Sequence, residues 1–292
     1  MHLEDRSHAM NNPKKKTPPK RGQIKLISLD LDGTLLRQDL TIGPRTMKAL
    51  HTAHKKGIKI VLNSGRMTPA IMPTAELTGL DVYVISYNGA KAIGLKSDDR
   101  PLLFELCLPA AVAHELVLEA KKRRLQLNYY LDELVYTEDQ PHLRHHINLY
   151  ISRTSSPFKF VERIEDHTHR DPHKVLFVID PPIRQELEDA LTPLFSKRTT
   201  ITRTDPEYLE FLHPEVNKGS GLQGLCKVLG IGMEEVMACG DADNDEAMVL
   251  AAGWGVGMKN ARERVRATAD VFTENDNNND GVGEAIERWV LG

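Results

Sequence analysis

Three cysteines, Cys107, Cys226 and Cys239, are too few, too far apart and odd in number for a disulfide framework, and no CxxC pair offers a metal clip. A reducing cytoplasm is the expected setting. No apolar run approaches the ~18 uninterrupted residues of a membrane span, so a bilayer is not an expected partner. An excess of one charge is missing too: Lys and Arg total 38 against 41 Asp and Glu, a net charge of -3. Binding to nucleic acid or to an anionic membrane needs a basic surplus over a surface, so neither is expected. The single basic run, Lys14-Lys15-Lys16 with Lys20-Arg21 behind it, lies in a stretch from Met1 to Gly22 that has no apolar periodicity. That stretch also lacks the apolar segment of a signal peptide, so residues 1–22 are expected to form a disordered tail outside the fold. A localisation or nucleic-acid patch is the alternative reading of the same lysines.

What is present, 292 residues with 40% hydrophobic and 27% charged, suits one large domain or two moderate ones. Strand and helix patterns alternate from residue 24. Ile24 to Ser28 reads as a strand, Pro44 opens a helix with Met47, Leu50 and His54 at helical spacing, and Gly57 ends it. Further strands follow at Ile58 to Leu62, Val82 to Ser86, Val236 to Cys239 and Trp254 to Met258. Helices are expected at Lys218 to Leu229 and from Val282. Such alternation implies a parallel sheet with helices on both faces. The interval 88–203 differs, with amphipathic segments at Ala110 to Arg123 and Pro182 to Leu194 and short strands at Leu134 to Tyr136 and Lys174 to Ile179. It reads as an inserted α+β domain, leaving 23–87 and 204–292 as the core. Six histidines between His142 and His173 lack the cysteines and convergence of a zinc site and read as a solvated face.

The chemistry is concentrated where strands end. Asp30-Leu31-Asp32-Gly33-Thr34 follows the first strand, and ligands of open parallel sheets bind beyond the carboxyl ends of strands. Two carboxylates a residue apart repel unless a cation neutralises them, which points to a bound metal with one group free as nucleophile and the other as proton carrier. The bland alternative is an Asp-rich turn. Ser64-Gly65-Arg66 after the second strand, Lys218 at a helix start, and Asp241 and Asp245 after a late strand add hydroxyl, amide, ammonium and carboxylate groups. Together these suit a phosphate held on Mg²⁺, which prefers oxygen ligands and few carboxylates.

These segments, in this order, resemble the four motifs of the haloacid dehalogenase superfamily, and within it the Cof-type (subclass IIB) sugar phosphatases. Asp30 to Thr34 resembles the first motif, Ser64-Gly65-Arg66 the second, Val216-Asn217-Lys218-Gly219 the third and Gly240 to Asp245 the fourth. The resemblance covers the chain after the tail and implies a Rossmann-like α/β core with a C2-type cap. It implies Asp30 as nucleophile and Asp32 as general acid and base. It further implies Mg²⁺ on Asp30, Asp32 and Asp241 with Asp245, and phosphate contacts from Leu31, Thr34, Ser64, Gly65, Lys218 and Asn244. The expected activity is hydrolysis of small phosphorylated metabolites, sugar phosphates foremost, by a monomer or homodimer. A phosphomutase and a non-catalytic phospho-acceptor or binding module are the alternatives. Tyr129, Tyr130 and Tyr136 are candidate cap contacts to the leaving group.

Overall fold

The computed structural model describes residues 16–154 and 156–292. In chain order, β1 (Leu26–Leu29) leads to α1 (Pro44–Lys55), β2 (Lys59–Asn63), α2 (Thr68–Leu77), β3 (Tyr83–Ser86), β4 (Lys91–Ile93) and β5 (Leu102–Glu105). The chain then leaves for α3 (Ala110–Arg123), β6 (Gln126–Leu131), β7 (Leu134–Glu138), α4 (Arg144–Thr154), β8 (Phe158–Val161), β9 (Val175–Val178), α5 (Arg184–Phe195), β10 (Thr200–Thr202) and β11 (Tyr208–Leu212). It returns through α6 (Lys218–Leu229), β12 (Val236–Gly240), α7 (Glu246–Ala251), β13 (Trp254–Gly257), α8 (Glu263–Thr268), β14 (Val271–Phe272) and α9 (Gly281–Ile286).

The core sheet has the order β14-β13-β12-β1-β2-β3-β4-β5, parallel from β14 to β3 and antiparallel at β4 and β5. Its central strands are buried on both faces, as a parallel sheet covered by helices requires. One face packs Ile27, Leu29, Ile60 and Leu62 under α1 and α9. The opposite face packs Leu26, Val61, Val236 and Ala238 under α6 and α7. Pro44 starts α1 where its missing N–H costs nothing, and Gly57 at φ 82° turns the chain out of it. The buried stripe of α1 is Thr46, Ala49, Leu50 and Ala53, so Met47 and His54 lie at its margin rather than on the core face. Helical spacing alone does not choose between stripes one residue apart.

The second sheet, β10-β11-β9-β6-β7-β8, is antiparallel except between β7 and β8. Alternation along its strands separates two faces. Leu127, Tyr129, Phe177 and Phe211 face outward under α3 and α5, forming a core of their own. Tyr130, Leu176, Val178 and Tyr208 face the first domain and pack with Met67 and Tyr87. Apolar contact therefore joins the two domains.

The domain crossings lie elsewhere than the sequence suggested. Residues 88–105 continue the core sheet, because β4 and β5 extend its edge as an antiparallel hairpin. The crossing comes at Leu106 to Leu108, where the Leu106 amide donates to Ala90 in the core and the Leu108 amide to Pro172 in the cap. The return comes after Leu212, since β11 pairs with β9 of the cap. A hairpin breaks the strand-helix alternation without leaving the sheet, which hid the first boundary.

The expected tail also shortens. Residues 1–15 lie outside the described residues, but residues 16–22 run along the core. The Lys16 ammonium donates to the carbonyls of Leu250 (3.1 Å) and Ala252 (2.6 Å) at the end of α7 and lies 3.3 Å from Asp270. A cation at a helix C-terminus is favourably placed. Among the described residues no helix is long and apolar enough to cross a membrane.

Candidate active site

Asp30 is the first residue past β1, where its amide still donates to Cys239 of β12 (3.1 Å). Gly33 then turns the chain at φ 83°, and a Cβ there would lie 2.5 Å from Oδ2 of Asp241. Both the backbone angle and the approach of Asp241 exclude a side chain at that position. Thr34 closes the turn by donating its hydroxyl to Oδ1 of Asp241 at 2.8 Å. On the neighbouring strand end, Oδ2 of Asp245 accepts the amides of Asp241 and Ala242, each at 2.9 Å.

Carboxylate oxygens of Asp30, Asp241 and Asp245 lie within 4.8 Å of one another, and all three residues are buried. One cation answers them. Asn217 caps α6, accepting the Ser220 amide at 2.9 Å, and so presents Lys218 at the first turn. The fully buried Lys218 ammonium donates to Oδ1 of Asp30 (2.5 Å) and Oδ1 of Asp245 (2.6 Å). Burial alone would depress its pKa, but Asp245 and Asp30 outweigh that and raise it. Burial, with Asp245 adding to it and Lys218 opposing, raises Asp30 well above the usual carboxylate range. Asp241 is pushed up to about 7, again by burial first and Asp245 second. One ammonium does not balance three carboxylates.

Ser64 and Gly65 follow β2, and Asn244 lies across from them. All three line a cavity of about 250 Å³ together with Asp30, Asp32 and Asp241. The cap closes that cavity with Tyr150, Arg153, Asp205 and Tyr208. Asp32 is 55% exposed in its side chain, and Arg66 grips it with two hydrogen bonds, from Nε at 2.8 Å and from Nη2 at 2.5 Å.

Several expected contacts are placed otherwise. The Leu31 side chain is buried in the core, and neither Leu31 nor Thr34 lines the cavity. Thr34 serves Asp241 instead. Lys218 and Asp245 stand behind Asp30 rather than on the cavity wall. The cap tyrosines need correction as a group. Tyr129 and Tyr136 point to the outer face of the cap sheet, bonded to the Arg170 carbonyl (2.8 Å) and to Asp132 (3.1 Å). Tyr130 is on the inner face, but its hydroxyl is bonded to that of Tyr150, and Tyr150 is the one that reaches the cavity. Sequence reasoning saw aromatic strand residues and could not tell which side of the pleat faced the core.

Among the cavity residues it missed are Tyr150, Arg153, Lys174, Asp205, Tyr208 and Glu210, while Arg66 was seen only as part of a motif. One signal was available. Glu210 sits in the otherwise apolar or aromatic run Tyr208-Leu209-Glu210-Phe211-Leu212, where a buried charge demands a partner.

A family model for haloacid dehalogenase-like hydrolases matches residues 27–286. The chain belongs to that family. It is 32% identical over 271 residues to a 5-amino-6-(5-phospho-D-ribitylamino)uracil phosphatase of Bacillus subtilis, a match spanning 92% of this chain and 96% of the relative. A haloacid dehalogenase-like hydrolase from Bacteroides thetaiotaomicron, 31% identical, superposes with a TM-score of 0.80 over 91% of this chain and 99% of the other. A subclass IIB sugar phosphatase, 22% identical, shares the fold with a TM-score of 0.77 over 90% of this chain and 98% of its own. This haloacid dehalogenase-like hydrolase is thus a phosphoric monoester hydrolase with an α/β core and an inserted cap.

Because Lys218 is the one partner that Asp30 and Asp245 share among the described residues, Lys218→Met strands two buried carboxylates. Urea denaturation in chelator should show a loss of about 3–5 kcal/mol, the cost of removing one partner of a buried ion pair. The double variant Lys218→Met, Asp245→Asn should recover part of it. A single variant as stable as the parent would show that the ammonium does not hold the cluster together.

Proposed function

We propose that this hydrolase is a Mg²⁺-dependent phosphatase of small phosphorylated metabolites, sugar phosphates foremost, working through an aspartyl-phosphate on Asp30. The observation that carries this reading is the position of Asp30. Its carboxylate stands at a strand end, held by Lys218 on one side and open on the other to a cavity that Ser64, Gly65 and Asn244 also line. Phosphorus seated against those groups would meet the carboxylate oxygen directly.

The fit to Mg²⁺ rests on the donor set. Oxygens alone are offered, and the raised pKa values of Asp30 and Asp241 mark a surplus of negative charge that a divalent cation would relieve. Asp30, Asp241 and the Asp32 carbonyl would hold it. Asp245, whose oxygens are engaged by Lys218 and two amides, would act by orienting them. Bound there, the ion would neutralise phosphoryl oxygens so that one anion can attack another.

The remaining steps belong to the chain. Asp30 forms a bond to phosphorus as the bond to the leaving alcohol breaks, and Asp32 supplies that oxygen with a proton. Asp32 then takes a proton from the water that cleaves the aspartyl-phosphate, a general acid and base role worth about 10² to 10⁴ in rate. The Ser64 hydroxyl, the Gly65 amide and Asn244 hold the equatorial oxygens. Phosphate monoesters require accelerations up to ~10²¹, so these contributions must combine. The cap supplies hydrogen-bonding groups beside the phosphate site, namely Arg153, Asp205 and Tyr208, and the Tyr208 hydroxyl is buried with no hydrogen-bond partner among the described residues. Such groups suit a polyhydroxylated leaving group. The Bacillus subtilis relative, by its name, acts on a ribityl phosphate, which accords with that chemistry.

Removal of metal should abolish turnover, Mg²⁺ should restore it, and excess Ca²⁺ should inhibit, because its larger coordination shell would recruit both oxygens of Asp30. Full turnover in EDTA by protein that elemental analysis shows to be metal-free would end the metal-assisted reading.

Substitution of the two aspartates should separate their roles. Asp30→Asn should abolish both turnover and phosphate labelling of the protein. Asp32→Asn should still be phosphorylated by nitrophenyl phosphate, whose leaving group needs little protonation, while hydrolysis of the intermediate slows about 10²-fold or more. Rapid quenching and mass spectrometry of the peptide spanning residues 26–37 reads the outcome, and a phosphoryl group on Ser64 or a histidine contradicts the mechanism.

On the cap, Arg153→Ala and Tyr208→Phe should reorder a panel of sugar phosphates while sparing a small generic ester, since remote binding energy is what they remove. Tyr129→Phe and Tyr136→Phe, on the far face, should leave the ranking unchanged. A ranking altered by the second pair and not the first would reverse this assignment of the two faces.

A further inference from the structure

One buried side chain touches every part that must hold its place together. Asn88, just past β3, is 2% exposed and lies in a run of left-handed backbone: Tyr87 at φ 52°, Asn88 at φ 54° and Gly89 at φ 107°. Positive φ in consecutive non-glycine residues is unfavourable and persists only where surroundings enforce it. The enforcing contacts come from the phosphate side of the cavity. The Tyr87 amide donates to the Arg66 carbonyl (2.9 Å) and the Asn88 amide to the Ser64 carbonyl (3.0 Å). A Cβ on Gly89 would lie 2.2 Å from the carbonyl oxygen of Asn217, the residue that caps α6.

The Asn88 side chain then ties this loop to the cap. Its Oδ1 accepts from Nδ2 of Asn244 at 2.9 Å, and its Nδ2 donates to Oε2 of Glu210 at 3.2 Å. Oε2 of Glu210 also accepts from Nζ of Lys174 at 2.9 Å, and the same ammonium donates to the Gly65 carbonyl at 3.0 Å. A Cβ on Gly65 would in turn lie 2.8 Å from Oδ1 of Asn88. The contacts form a closed ring: Gly65, Asn88, Glu210 and Lys174, with Asn244 attached. Two members are core and two are cap. The Lys174 and Glu210 side chains are 3% and 2% exposed. A buried ion pair is a weak source of net stability compared with apolar packing of the same volume, and the domain interface around it is already apolar. What the pair adds is a fixed geometry.

We infer that Asn88 is a positioning residue that, through Glu210 and Lys174, makes the seating of the cap set the Ser64-Gly65 loop and Asn244 around the phosphate. This rests on the phosphate-site reading of those three residues. With the ring closed, the Gly65 carbonyl is held from the cap side while Asn88 fixes Ser64 and Asn244 from below. The groups that grip phosphate are then aligned only when the cap is seated.

The test uses Asn88→Gly, which keeps left-handed backbone accessible while deleting both side-chain hydrogen bonds. With nitrophenyl phosphate, too small to need the cap for binding, kcat should fall about 10-fold or more, as misplacement of catalytic groups predicts. Affinity for inorganic phosphate in the presence of Mg²⁺, read by calorimetry, should weaken as well, with the melting temperature little changed. The double variant Lys174→Met, Glu210→Gln removes both charges at similar volume and should show the same loss. Combining all three substitutions should add nothing further, because the residues act as one unit. Parental kcat and phosphate affinity in Asn88→Gly overturn the inference. So do losses that multiply in the triple variant, or a change confined to KM for bulky esters, which would make Asn88 a leaving-group contact. If the parent releases phosphate from no ester, the phosphatase reading fails by itself, and calorimetry still decides: equal phosphate affinity in parent and Asn88→Gly overturns the positioning role. A parent that binds no phosphate overturns both.

Discussion

Three buried carboxylates gathered around one ammonium are the constraint to which the rest of the core conforms. Asp30, Asp241 and Asp245 come from two strand ends, and Lys218 comes from a helix that starts beside them. Like charges at such spacing are tolerated only because Lys218 is buried with them and because the donor set invites a divalent cation. The architecture supplies what this needs. Parallel order brings β1 and β12 side by side, so their carboxyl ends open into one place. Glycine at 33 and 240 lets the carboxylates approach: a Cβ at either would lie 2.5 Å from an atom of Asp241 or Asp245. Capping by Asn217 fixes the first turn of α6 and hence the reach of Lys218.

The energetic division between the domains follows from burial rather than from charge. Each domain has its own apolar core, and a third apolar cluster joins them through Met67, Tyr87, Tyr130, Leu176 and Tyr208. That cluster is non-directional, as apolar burial is, and tolerates small shifts of the cap. Polar contacts across the same interface are directional. Lys174 to Gly65 and Asn88 to Glu210 fix a single seating, and the Glu133 carboxylate adds to them by accepting from the Tyr87 hydroxyl (2.8 Å) and the Lys91 ammonium (2.7 Å). Apolar area holds the cap on, and the polar ring decides where it sits.

Much of the core was legible in the sequence because its signals are local. Lys218 to Leu229 is a helix with the predicted bounds, since a capping Asn before it and Gly230 after it mark both ends. The strand ends carrying Asp30, Ser64 and Asp241 were legible for the same reason: short apolar runs give way abruptly to small or charged residues. What stayed hidden depends on tertiary placement. The β4-β5 hairpin belongs to the core sheet through an antiparallel edge that no local pattern assigns. Tyr129, Tyr130 and Tyr136 were grouped by composition, yet the period of the strand sends Tyr129 and Tyr136 outward and only Tyr130 inward. Lys16 was grouped with its basic neighbours although its ammonium reaches three acceptors on the core.

The two halves of the site thus answer to different rules, and this explains why one was readable and the other was not. The carboxylate half must satisfy a fixed charge distribution, so residue types, order and spacing are all constrained, and constraint is what a sequence displays. The cap half is assembled from separate elements, where any side chain that reaches the cavity can serve. Arg153, Asp205 and Tyr208 come from a helix end, a loop and a strand separated by more than 50 residues at the widest, so no short motif can hold them together. Glu210 and Lys174 are the exception within the cap. Their burial makes each depend on the other and on Asn88, and a lone acid in an apolar strand is the trace that this dependence leaves in the sequence.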